Sequence, residues 1–225
     1  MEEAAEYLRI PISTLSAWAI GRRKANGVEF YEPVLGFVDQ KLRRLSFFDL
    51  VEAHILRAAI ERKVPLRQLK RGLSYLRKRH PANQRPLLTY DFLTDGKYLL
   101  VGGMLGSRDK DKEALLNASM RGQLEMAEVI AEHTRFLLKG FDEYLNLLGR
   151  DRSNMPETLF PKGGHHVISI TPGVVSGRPV IEGTRIPTSI VAQRFHAGED
   201  LARLAKDYRI SAEKIEAAIK YESAA

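Results

Sequence analysis

Catalysis needs side chains that converge at a diagnostic spacing, and this chain of 225 residues offers few candidates. His165 and His166 form an adjacent histidine pair. Neighbours on a strand point to opposite faces, which is poor geometry for holding one metal ion. Asp109, Asp111 and Glu113 cluster in one charged stretch with no matching carboxylate site, the pattern of a solvated surface. Gly102, Gly103 and Gly106 lack the Lys-Ser/Thr that would make a phosphate loop, and read as a flexible turn. There are no cysteines, which excludes disulfides, iron–sulfur ligation and thiolate zinc sites and fits a reducing compartment. The expectation is a chain with no catalytic residue, no metal and no cofactor.

The remaining chemistry is that of cations meeting a polyanion. The net charge is +7, and most of the excess lies at the N-terminal end: residues 1–85 hold 17 Lys+Arg against 9 Asp+Glu, whereas residues 86–162 hold 10 against 12. A concentrated basic surface binds nucleic acid by releasing counterions. The same stretch has helix-turn-helix spacing: a helix over Glu2 to Leu8, a stop at Pro11, and a second helix from Ser13-Thr14 through Trp18 to Gly21. On the second helix Ser13, Thr14 and Ser16 are small hydrogen-bonding groups suited to reading bases. Arg22, Arg23 and Lys24 follow where the chain can clamp a phosphate backbone. Trp18, three residues after Leu15, is expected to anchor the core rather than stack on a base.

The elements that must position these groups are legible in outline. Val28 to Val38 reads as a short wing or β-turn. Ser46-x-x-Asp49 is a capping-box start for a long helix through Leu50, Val51, Ile55, Leu56 and Ile60. Pro65 opens another with Leu66, Leu69, Leu73 and Leu76 on one stripe; Lys70 and Arg71, off that stripe, join the expected DNA-binding set. After Pro81, two apolar β-type runs flank Asp95-Gly96, a strong hairpin signal. Residues 113–138 are expected to be mostly helical, 142–148 a short helix, 150–164 a Pro/Gly-bounded linker, and 166–170 a strand.

The C-terminal stretch is led by Gly177 to Pro187, GRPVIEGTRIP. Val180-Ile181 and Ile186 flank Glu182-Gly183, the pattern of a tight corner, with Gly177, Gly183 and Gly198 as structural turn residues. Thr188-Ser189, Asp200 and Ser211 are each placed to cap a short helix. The fold class expected is mainly α with small β elements. A winged helix-turn-helix at 1–80 is followed by a β-hairpin plus helical middle region at 81–149, a linker at 150–164 and a three-helix module resembling a helix-turn-helix at 165–225.

Ile170 to Val174, Gly177 to Ile181, Gly183 to Pro187 and Ala197-Gly198 resemble the domain-of-unknown-function-433 family, and the first 80 residues resemble the MerR-like winged-helix fold. Taken whole, the chain resembles the longer VapB-type antitoxins of type II toxin-antitoxin systems. That resemblance implies a VapC-type partner, a PIN-domain ribonuclease toxin, with operator DNA as the second partner and a homodimer or larger hetero-oligomer as the assembly. The contacts it implies on the toxin are Arg150, Arg152 and Lys162 in the linker and Arg178 and Arg185 beside the corner. Arg178 and Arg185 have an alternative role, tying the corner down through backbone carbonyls. Residues 150–225 are expected to suffice for toxin binding. A MerR-like regulator that senses a small molecule is the alternative reading of the whole chain. No apolar run is long enough to cross a bilayer and the N-terminus is acidic where a secretory signal is basic, so the expected location is the cytoplasm.

Overall fold

The computed structural model describes residues 1–23, 30–35, 44–79, 81–82, 84–94, 99–104 and 144–224. Lys24, the Asp95-Gly96 turn and the expected helix at 113–138 lie outside them. The described residues form helices joined by small two-stranded antiparallel sheets, a mainly α chain with minor β structure. They fall into two compact units: residues 1–15, 147–150 and 156–225, and residues 16–146 with 151–155. Residues 1–15 thus share a unit with the C-terminal module and not with the rest of the 1–80 stretch.

In the first unit, helix α1 (Glu2–Leu8) buries Ala5 and Leu8 and ends at Arg9, whose left-handed φ of 49° reverses the chain. Helix α2 (Ile12–Ala19) begins directly after Pro11, whose carbonyl accepts from Thr14 N and Leu15 N at 2.9 and 3.1 Å. Proline therefore starts this helix as well as closing the previous one, because the first turn needs no N–H from it.

The second unit is organised on α3 (Phe47–Glu61) and α4 (Leu66–Arg79). Ser46 and Asp49 make the expected capping box: Ser46 Oγ accepts from Asp49 N at 3.2 Å and Asp49 Oδ2 accepts from Ser46 N at 2.8 Å. α3 is buried along most of its surface, with Val51, Ala53, Leu56 and Ala58 at 0% exposure. Trp18, on the last turn of α2, is buried as its spacing implies, and its carbonyl accepts from both Val34 N and Leu35 N. Strand β1 (Arg22–Arg23) pairs antiparallel with β2 (Phe30–Tyr31) in a short ribbon, of which only β2 lies in the 28–38 stretch expected to hold a wing. Helix α5 (Pro86–Thr89) runs directly into β3 (Tyr90–Thr94), which pairs with β4 (Leu99–Met104).

Residues 144–145 are helical, but Leu148 already belongs to β5 (Leu148–Arg150), so the helix expected over 142–148 does not extend that far. β5 pairs with β6 (Pro156–Leu159), which gives the 150–164 stretch an ordered hairpin. The two prolines and the glycines there read as breakers. Pro156, however, opens its strand, where no ladder N–H is required. Asp151 Oδ1 closes the turn by accepting from Ser153 N and Met155 N at 2.8 and 2.9 Å. Leu159 and Ile170 then exchange backbone hydrogen bonds of 2.9 and 2.8 Å.

Strand β7 (Ile168–Ser169) pairs antiparallel with β8 (Val180–Ile181), and three helices follow: α6 (Thr188–His196), α7 (Leu201–Tyr208) and α8 (Ala212–Ser223). Their common core is Ile168, Ile181, Val191, Leu204, Ile215 and Ala218, each at 0% exposure, with Ile219 and Tyr221 beside them. Asp200 and Ser211 cap α7 and α8 by accepting from Arg203 N at 2.8 Å and Lys214 N at 3.4 Å. α6 differs from expectation. Pro187 occupies its cap position, and Thr188 is wholly buried inside the first turn. Thr188 Oγ1 donates to Pro179 O at 3.3 Å and also bonds Glu222, so the hydroxyl ties α6 to the chain before β8 and to the end of α8 instead of capping a helix.

Candidate functional site

The C-terminal corner is held by its own short-range chemistry. Ile181 N donates to Ile186 O at 3.0 Å, Thr184 N and Thr184 Oγ1 both donate to Ile181 O, and Ile186 N donates to Thr184 Oγ1 at 3.1 Å. Gly183 takes φ 76° within this corner, the left-handed conformation that a side chain resists. A Cβ there would meet nothing within 4 Å, so the requirement for glycine is torsional and not spatial. Gly177 and Gly198 have φ of 77° and 98°.

Thr184 and the backbone supply the corner's bonds among those described. Arg185 is exposed on the turn, one helical start away from Ile190, which is 43% exposed. Arg178 is 60% exposed and its Nε lies 3.8 Å from Glu3 Oε1, a long surface pair of small energetic weight. Of the other expected contact residues, Arg150 is half-buried on β5, while Arg152 and Lys162 are exposed. Arg194 is the cation that sequence inspection missed. Its Nε donates to Glu199 Oε1 at 2.7 Å and its Nη2 donates to Asp207 Oδ2 at 2.7 Å, with the guanidinium over the Tyr208 ring at 5.1 Å. Hydrogen bonding to Arg194 holds both carboxylates below their usual range. That network joins α6 to α7, a structural task whose only sequence signal was the i, i+5 spacing of Arg194 and Glu199.

The face of α1 against the C-terminal module is equally specific. The Arg9 guanidinium lies over the Tyr221 ring at 5.6 Å. It also lies so close to Gly163 that a Cβ there would meet Arg9 Nη2 at 2.8 Å. Burial, with Glu3 next, pushes the Tyr7 hydroxyl up from 10 to about 12. Burial, with Glu222 next, pushes Tyr221 up further still.

Of the expected DNA-binding residues, Ser13 is exposed and Thr14 and Ser16 are half-buried on α2, whose opposite side buries Leu15, Trp18 and Ala19. Arg22 is exposed on β1, across the ribbon from Tyr31, which is 52% exposed. The side chains of Arg23 and Arg71 are not among those described. Lys70 makes a contact within its own unit. Its Nζ donates to the Glu32 carbonyl, and Arg77 Nη2 donates to the Val34 carbonyl at 3.1 Å, so these two cations of α4 fasten the 32–35 segment to the helix. Among the described residues no group of three or more His, Asp or Glu side chains could hold a metal ion, and no helix is long and apolar enough to cross a membrane.

Comparison with known proteins agrees with the layout of the C-terminal module. Residues 168–221 match the family described as "Protein of unknown function (DUF433)". The chain is 25% identical to "Putative antitoxin VapB45" of Mycobacterium tuberculosis, over 97% of this chain and 91% of that protein. It is 26% identical to "Uncharacterized protein Rv2308" of the same organism, over 97% of this chain and 87% of that protein. Its fold is similar to the crystal structure of Rv2018 from M. tuberculosis, with a TM-score of 0.61 at 18% identity, covering 97% of this chain and 95% of that one. Residues 168–221 thus match the DUF433 family model, in a chain that is weakly similar over almost its whole length to a protein named as an antitoxin.

Proposed function

We propose that this protein is an antitoxin. It binds and inhibits a VapC-type PIN-domain ribonuclease and represses its own operon by binding operator DNA, without catalytic activity of its own. The observation that carries the reading is the near full-length similarity to a protein named as an antitoxin, combined with the DUF433 domain at its C-terminal end. Toxin contact is assigned to the C-terminal module, with Arg185 at its centre because nothing described in the corner engages its guanidinium. Arg150, Arg152, Lys162 and Arg178 are the flanking cations. DNA contact is assigned to the N-terminal region: Ser13, Thr14 and Ser16 read bases, Arg22, Arg23 and Lys24 hold phosphates, and Arg71 joins them. Lys70 joins them as well, since its bond to the Glu32 carbonyl leaves the ammonium with further donors. The functional divisions at 1–80, 81–149, 150–164 and 165–225 belong to the same reading, as do a homodimer on palindromic DNA and a cytoplasmic location.

The test is co-expression with the neighbouring reading frame, followed by a pull-down and a growth-rescue assay. A stable complex that restores growth supports the reading, and a chain that captures no partner and rescues nothing overturns it. Metal-dependent RNA cleavage by the purified chain alone would overturn the non-enzymatic part. On operator DNA, Arg22→Ala is expected to weaken binding to all sequences and lower the salt slope by about one, whereas Thr14 or Ser16 substitutions alter sequence preference.

A further inference from the structure

In the second unit, two carboxylates on α3 are buried together and share one close cation. Asp49 is 1% exposed and Glu52 is 0% exposed. Arg85 Nη1, from the residue that enters α5, lies 2.9 Å from Asp49 Oδ1 and donates to Glu52 Oε2 at 2.8 Å. The other oxygen of Asp49 is already used by the capping box at the start of α3. Glu52 Oε1 is buried and accepts no hydrogen bond among the described residues. Arg77 of α4 faces the cluster, with its Nε donating to the Gln84 carbonyl and its Nη2 to the Val34 carbonyl. The Phe48 ring covers the Arg85 guanidinium at 5.8 Å. The described charged groups around Glu52 are therefore Asp49 from α3, Arg77 from α4 and Arg85 from the approach to α5.

We propose that the Asp49–Glu52–Arg85 cluster is a proton-operated latch between α3 and the segment that enters α5. Glu52 is buried beside a second carboxylate with one oxygen unbonded, so its charged form is poorly solvated in spite of Arg85 and Arg77, and a proton on it relieves that cost. Burial is the largest influence on Glu52. It pushes the carboxyl up from 4.5 to about 7, against the pull of Arg85 and Arg77 and with the help of Asp49. The sign of the effect follows from linkage. When the latch opens, Glu52 returns to water and to its ordinary acidity, so opening releases a proton and becomes easier as pH rises from 4.5 to 7. α5 leads straight into β3, so an open latch frees the root of the β3–β4 hairpin.

The test is amide hydrogen exchange of the full chain at residues 84–89, corrected for the intrinsic pH dependence of exchange. Between pH 4.5 and pH 7 the opening equilibrium is expected to rise by about 80-fold, part of the limiting ratio of about 300-fold set by the difference between the two acid constants. In Glu52→Gln the same measurement is expected to be flat. An identical pH profile in the two proteins overturns the latch. A second measurement does not depend on that variant folding: the side-chain carboxyl carbon of Glu52, followed by NMR in the unmodified chain. A midpoint near 7 supports the proposal, and one near the ordinary value of 4.5 overturns it.

Discussion

Leu8 is 1% exposed at the end of a seven-residue helix that shares a compact unit with the C-terminal module. Truncating it to alanine tests whether that packing is energetically real. A buried Leu→Ala change costs about 2–5 kcal/mol, from lost transfer energy and the residual cavity. A helix this short has no stability of its own in water, so what holds α1 is its docking, and α1 is expected to detach before the whole unit unfolds. Even the low end of that range corresponds to about a 30-fold rise in the detached population. Hydrogen exchange with mass spectrometry on the full chain reads both surfaces of the contact. Peptides covering residues 1–10 are expected to exchange faster, and so are peptides covering 215–224, because Arg9 lies over the Tyr221 ring. Ile190→Ala, at a site 43% exposed, is the control and is expected to change stability by less than about 0.5 kcal/mol. Acceleration confined to residues 1–10 would refute the reasoning, because α1 would then contribute nothing to the module. If the reasoning holds, a fragment starting at residue 150 lacks part of its own fold.

Thr188→Val keeps the shape of a fully buried side chain but removes its bonds to Pro179 O and Glu222, and is expected to lower stability by about 1–3 kcal/mol in urea unfolding. A valine variant as stable as the parent would show that the hydroxyl holds nothing. Ser46→Ala removes one half of the capping box and should cost about 1 kcal/mol, checked by the shift in the denaturant midpoint at constant slope. Tyr7 and Tyr221, both raised by burial, are expected to stay un-ionised in a spectrophotometric titration at pH 10.5. Their folded values lie above their unfolded ones, so the stability they contribute is complete below pH 10 and is lost as pH rises through the folded values. Ordinary tyrosine titration in the native protein would contradict the packing around them. Arg185→Glu, on an exposed turn, should abolish capture of the toxin while leaving the melting temperature unchanged, and retained capture would move the contact elsewhere.

Chemistry that acts within a few residues is legible before any fold is known. Ser46, Asp200 and Ser211 cap the helices that their spacing announced, because a side-chain oxygen reaches an N–H three residues away whatever surrounds it. The corner at Gly183 is readable for the same reason, from turn chemistry. The ordered motif positions likewise sufficed to identify the domain that residues 168–221 match. Tertiary structure alone decided which distant groups meet. Nothing near Arg9 in the chain indicates that it will stack on Tyr221, nor does Glu52 announce Arg85. Thr188 has the residue type and position of a cap, but burial against Pro179 and Glu222 gave its hydroxyl other partners. Nothing near Lys70 in the chain announces the Glu32 carbonyl that its ammonium reaches. In each case the side chain has several partners of similar strength open to it, and the backbone path of the whole chain determines which one lies within about 3 Å.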